Sequence, residues 1–151
     1  MSLTFKYKRV KRPNNIEIKS PSIPITLSNG SGKYQFIALL DSGADISIIP
    51  QDVAELLGID LNGKKEEARG IGGKVPAIQK NISIELGKNH ESYTFTIPFK
   101  VILNHRDEEI PVILGRAGFF DKFVVTFNQS EERVTLKCVH PNVNGVVGNR
   151  R

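Results

Sequence analysis

Apolar residues recur along this chain in short runs, often at every second position, and Gly, Asn, Ser and Pro separate the runs, a spacing that predicts strands. The clearest pair is Pro24-Ile25-Thr26-Leu27 and residues 34–40, joined by Ser28-Asn29-Gly30-Ser31-Gly32, which reads as a hairpin. Further strands are predicted at 82–86, 93–103, 110–114, 124–127 and 134–139, the last two flanking the turn Asn128-Gln129-Ser130-Glu131-Glu132. Residues 50–58 carry apolar positions at helical spacing and end on Gly58, which predicts one short helix; residues 118–123 predict a further helical turn or two. Runs of strands without alternating helices point to an all-β domain.

Length and charge refine that picture. At 151 residues and 39% hydrophobic content the chain can bury one ordinary core but not two, so we read one domain over 23–140. Residues 1–22 are expected to form a basic N-terminal arm or strand, and 141–151, rich in Asn and Gly, a frayed tail. No apolar stretch approaches the roughly 20 residues that span a bilayer, and the chain opens on a polar, basic segment, so we expect no membrane contact and a cytoplasmic location. Much of the net charge of +5 comes from Lys6, Lys8, Arg9, Lys11 and Arg12, yet this segment lacks the helix or ordered aromatics of a nucleic-acid module. It is expected to be a solvated face, with nucleic acid an unlikely partner. Cys138 stands alone in a strand-like run and reads as a small buried residue.

Several familiar chemistries fail on inspection. Residues 58–65 approach a phosphate loop, but Lys65 replaces the hydroxyl residue that would hold magnesium, and Gly70-Ile71-Gly72-Gly73 lacks the last glycine of a dinucleotide fingerprint. His90, His105 and His140 show no metal-ligand spacing, and there is no nucleophile elbow or credible Cys/His pair. We therefore expect no cofactor and no metal.

What remains is carboxylate chemistry. Asp41-Ser42-Gly43-Ala44-Asp45 is entered from Phe36-Ile37-Ala38-Leu39-Leu40 and left through Ile46-Ser47-Ile48-Ile49, so an acidic residue is delivered into a tight turn where two apolar strands meet. Such a place is costly for an acid without a task, although an Asp before Ser-Gly can also serve merely to accept backbone hydrogen bonds in a turn. The triplet occurs once, whereas activating water between acids takes two carboxylates. Two further elements follow: Arg69-Gly70-Ile71-Gly72-Gly73-Lys74 and Val112-Ile113-Leu114-Gly115-Arg116.

In this order the three elements resemble the retropepsin family, the homodimeric aspartic proteases of retroviruses and their cellular relatives, over about residues 23–128. The resemblance implies a retropepsin-like half-barrel with one or two short helices, closed into an active site by homodimerisation, and a peptide or protein substrate. It implies that Asp41, with its copy across a twofold axis, activates water; that Ser42 braces the two loops; and that Gly43 turns its N–H toward the carboxylates. Ala44 and Asp45 would hold substrate backbone, Arg116 would pair with Asp45 in a buried ion pair, and Gly115 would let a strand cross close behind the loop. Gly70, Ile71, Gly72 and Gly73 would form a flap that binds substrate, with Ile71 at its tip.

Some residues depart from the viral pattern. No arginine lies in residues 22–27, Gly118 replaces a common Asn, and the chain runs on through residues 124–139 in place of a very short last strand. The expected function is an aspartic endopeptidase. Its rival is a catalytically weak dimer of the same fold that binds peptides or serves in assembly, its site loosened by Ser42, which lacks threonine's rotamer-fixing methyl, and by the missing arginine.

Overall fold

The computed structural model of the chain describes residues 2–11, 14–70, 73–88, 90–103 and 110–139, and the backbone of 147–150. Alternation builds its strands. In β4 (Ser22–Ser28) Ile23, Ile25 and Leu27 are buried and the residues between them are not; in β8 (Gly73–Lys88) Ile82, Ile84 and Leu86 repeat the pattern. In β9 (Glu91–Ile102) the alternating buried set is Tyr93, Phe95, Ile97, Phe99 and Val101, with Ile102 buried at the strand's end. β4 pairs antiparallel with β5 (Lys33–Leu40) as the expected hairpin. One helix is present among the described residues, α1 (Gln51–Leu56), which buries Ala54 and is stopped by Gly58 at φ +71°.

The strand pairings close into a ring. β9 lies beside β6 (Ser47–Pro50), β6 beside β10 (Val112–Leu114), β10 beside β5, β5 beside β4 and β4 beside β8, and β8 pairs again with β9 along their whole hairpin. The ring wraps the main core and leaves few open edges. β7 (Glu66–Gly70) extends it by pairing with the start of β8.

A second, three-stranded sheet has the order β1 (Ser2–Lys6), β12 (Arg133–Cys138), β11 (Phe123–Asn128). Leu3, Phe5 and Tyr7 are buried in the same core as the ring, so the start of the chain is built into the domain as a strand, with Lys6, Lys8, Arg9 and Lys11 left outside. Phe119, fully buried, and Phe123, their rings 5.2 Å apart, join the two sheets, and Cys138 is buried as expected. β2 (Lys8–Lys11) and β3 (Glu17–Ser20) form a separate two-stranded ribbon.

Two expectations need correction. Residues 118–123 form hydrogen-bonded turns and no helix, because Gly118 sits at φ +85° and donates its N–H to Asp121 Oδ2 at 3.0 Å. The tail, expected to fray, carries β13 (Val147–Arg150), which pairs with residues 91–94. Those residues have β8 on one side, while β6 covers only residues 99–102 on the other, so an open edge awaits the tail.

Candidate active site

β5 ends at Leu40, and the chain turns at Asp41 with its N–H donated to the Leu114 carbonyl at 3.0 Å. That bond ties the loop to the end of β10, which runs parallel to β5. The turn then closes on itself: the Ala44 N–H reaches the Asp41 carbonyl at 3.2 Å and the Gly43 N–H reaches Asp41 Oδ1 at 2.9 Å. The carboxylate is thus aimed by its own loop and half-buried, while Ser42 and Gly43 are exposed.

The segment after β10 clamps the other side of the loop. Arg116 N–H donates to the Ala44 carbonyl and Ala117 N–H to the Asp45 carbonyl, both at 2.9 Å. A Cβ on Gly115 would meet the Ile46 carbonyl carbon and oxygen at 2.6 Å and the Ala44 oxygen at 2.9 Å, so only glycine fits where the two segments cross. Sequence reasoning missed Ser47, whose fully buried hydroxyl accepts the Gly115 N–H at 3.0 Å. A small hydroxyl residue inside an otherwise apolar run was its signal.

Asp45 and Arg116 form an ion pair, and in the single chain their side chains are 87% and 58% exposed. The loop turns them outward, and no element among the described residues covers them. The flap expectation falls on a hairpin of β7 and β8 in which Gly70 lies opposite Gly73, with Gly73 at φ +111°. Ile71 and Gly72 lie outside the described residues. Ala68 and Ala77 on this hairpin are buried with Ile102 and pack against Ile48, Val75 and Ile110. This apolar cluster, also missed from sequence, joins the β7–β8 hairpin to Ile48, just past the Asp41 loop. The small side chains at 68 and 77 gave little to read.

The acidic loop and the clamp behind it meet where β5, β6 and β10 adjoin, and the β7–β8 hairpin reaches that sheet through the cluster with Ile48. A concavity of about 300 Å³ lies elsewhere, lined by Pro24, Thr26, Gln35, Glu85, Lys88 and Glu91, and contains neither residues 41–45 nor 112–116. Among the described residues no three His, Cys, Asp or Glu side chains gather as a metal site. No helix of the described residues is long and apolar enough to cross a membrane.

Comparison with known proteins places these features. The sequence pattern that describes aspartyl proteases matches residues 23–117, a span that holds the acidic loop, the β7–β8 hairpin and the clamp. Among solved structures, a retropepsin-like aspartic protease from Rickettsia conorii is similar at a TM-score of 0.54 and 19% identity, covering 90% of each chain. The EIAV protease in complex with the inhibitor HBY-793 is similar at a TM-score of 0.47 and 22% identity, covering 65% of this chain and 83% of that one. No curated protein matches the sequence.

Proposed function

We propose, from the premise that this chain belongs to the aspartyl protease family, that it is an endopeptidase whose active centre is completed by a second copy of itself. The observation that carries the reading is the Asp41 loop: one carboxylate, half-buried, aimed by the Gly43 N–H and clamped from behind by residues 114–117. A single turn acid would not need that clamp. Two such carboxylates facing each other cannot both carry charge readily, so they hold one proton between them. The ionised member takes a proton from a water held between the pair while the protonated member polarises the scissile carbonyl, and no covalent intermediate forms.

The remaining residues take supporting roles. Ser42, exposed beside Asp41, has a hydroxyl free of burial that supports the reading in which it bonds across the twofold axis and braces both loops. Ala44 and Asp45 hold the substrate main chain, and Arg116 steadies Asp45. The flap hairpin closes over an extended peptide, adding strand-like hydrogen bonds and excluding water. The half-buried Ile48, Val75 and Ile110 that pack beside it favour substrates with apolar side chains next to the cleaved bond.

β11 supports the docking of a twin. It is an edge of the three-stranded sheet, its sequence Phe-Val-Val-Thr-Phe-Asn has no charge, and Val124 and Phe127 are 55% and 39% exposed. Sheet edges in proteins that live alone are usually guarded by charge or proline. Antiparallel pairing of β11 with its copy about Val125 would set Phe123 against the partner's Phe127 with no like-charge clash.

The test is Asp41→Asn. It is expected to abolish cleavage of an apolar peptide substrate and to leave the dimer mass unchanged in ultracentrifugation. Equal cleavage by the variant would end the reading, and a wild-type dimer that binds peptides without cutting any would favour the binding-module alternative.

A further inference from the structure

We infer that the ribbon formed by β2 and β3 is an exosite for the flank of the substrate, and that it selects an extended segment in which apolar and acidic residues alternate. This rests on the protease reading above.

Place comes first. β4 begins at Ser22 next to Leu39, so the chain that leads into it leaves the ring at the same end as the Asp41 loop. The Pro21 carbonyl accepts the Leu40 N–H at 3.0 Å, one residue before Asp41, and the Ser20 and Ser22 hydroxyls, both buried, bond each other at 3.0 Å. The ribbon's other foot is held by the Tyr7 N–H on the Glu132 carbonyl at 2.8 Å and by Lys19 paired with Glu132 at 2.6 Å. It is therefore an anchored projection beside the catalytic loop and not a loose arm.

Its two faces differ in chemistry. The register sets Val10 opposite Ile18 and Lys8 opposite Ser20 on one face, and Arg9 opposite Lys19 and Lys11 opposite Glu17 on the other. Along the first face exposure rises outward from buried Ser20 to Ile18 at 36% and Ile16 at 57%, so isoleucines meet water where a ribbon this thin has no core to bury them. The second face carries three cations against Glu17, which faces Arg9 at 3.7 Å. Neither outer edge of the ribbon is paired among the described residues.

An open edge with one face that is apolar beyond Lys8 and one that is basic throughout but for Glu17 recognises a particular kind of strand. A peptide that adds to it alternates its side chains between the faces, so apolar residues fall beside Val10 and Ile18 and acidic ones beside Arg9 and Lys11. A substrate is already extended where it leaves the cleft, which lowers the ordering cost of continuing along the ribbon. Nucleic acid would use the cations but leave the isoleucines in water.

The experiment compares three peptides with one cleavable apolar core: the core alone, the core with an alternating Ile/Glu flank, and the core with the same residues in two blocks. The alternating flank is expected to lower KM on the order of tenfold, the size of a few weak contacts, with kcat unchanged. The variants Arg9→Glu with Lys11→Glu, and Ile18→Ser, are expected to return KM to that of the core while still cutting the core normally. Equal KM for all three peptides, an equal gain from the blocked flank, or a ribbon variant that slows the core as well would overturn the inference. If the core itself is not cut, the protease reading has failed and the ribbon is judged alone: fluorescence anisotropy of the labelled flank on Asp41→Asn protein must show binding that the ribbon variants lose. Salt-sensitive binding of an oligonucleotide in place of the flank would also overturn it.

Discussion

Asp45 and Arg116 illustrate how far a residue pair depends on what covers it. Exposed as they are in one chain, they contribute little to its stability; a surface pair of this kind is worth about 0–1 kcal/mol. Asp45→Ala is therefore expected to leave the melting temperature of the chain nearly unchanged while raising KM for peptides, and a large loss of thermal stability in calorimetry would show that the pair is covered in solution. Gly115 behaves oppositely. The atoms its Cβ would strike are backbone atoms of Ile46 and Ala44, which cannot swing aside as a side chain can. Gly115→Ala is expected to cost about 1–3 kcal/mol in denaturant unfolding, and because the strained segment carries Ala44 and Asp45, kcat/KM should fall with it. A variant of native stability and activity would show that the crossing is looser than drawn. Ser47→Ala removes the hydroxyl under the Gly115 N–H, and Ser47→Thr keeps it; activity is expected to drop in the first and return in the second.

Among the elements, β11 and the β7–β8 hairpin carry the proposed dimer contact and the proposed flap. β11 invites a direct test: Val124→Lys with Phe127→Lys places charge on side chains already exposed in the single chain, so the fold should persist by circular dichroism while the dimer weakens in ultracentrifugation. An undisturbed dimer would move the interface to other strands. The strands around Ile23-Ile25-Leu27 and Tyr93 to Val101 were legible because a period of two survives in the sequence whatever the partner strand is. Closure of the ring was not, because it depends on residues 26–28 meeting 83–85, a pairing between segments far apart in sequence that no local pattern encodes. The turns at 118–123 were misjudged for a different reason: Phe119, Phe120 and Phe123 have helical spacing, but Gly118 at φ +85° and the pull of the aromatic core decide the backbone. At the site, Asp41, Gly43 and Gly115 could be named from sequence because motif chemistry is local. Ser47 showed only as a hydroxyl in an apolar run, and the Ala68, Ala77 and Ile102 cluster hardly at all, since their meaning lies in what packs on them.

At the scale of the whole molecule, folding and catalysis separate. Each chain has a closed ring of strands and its own continuous core, reaching from Leu3 to Cys138, so a single copy has the means to stay folded. Yet its acidic loop is solvent-facing and holds one carboxylate of the two that the proposed chemistry uses. Obligate dimers unfold as they dissociate; this architecture implies folded chains that lose activity on dilution. Specific activity is therefore expected to rise with chain concentration and approach a plateau, falling toward zero at dilutions where ultracentrifugation shows single chains, while far-ultraviolet circular dichroism holds its folded value throughout. A transition-state mimic that bridges both copies should shift the curve to lower concentration, because it binds the dimer alone and pulls the equilibrium toward it. Constant specific activity among single chains would mean that one Asp41 suffices, and the water-activating pair would have to be abandoned.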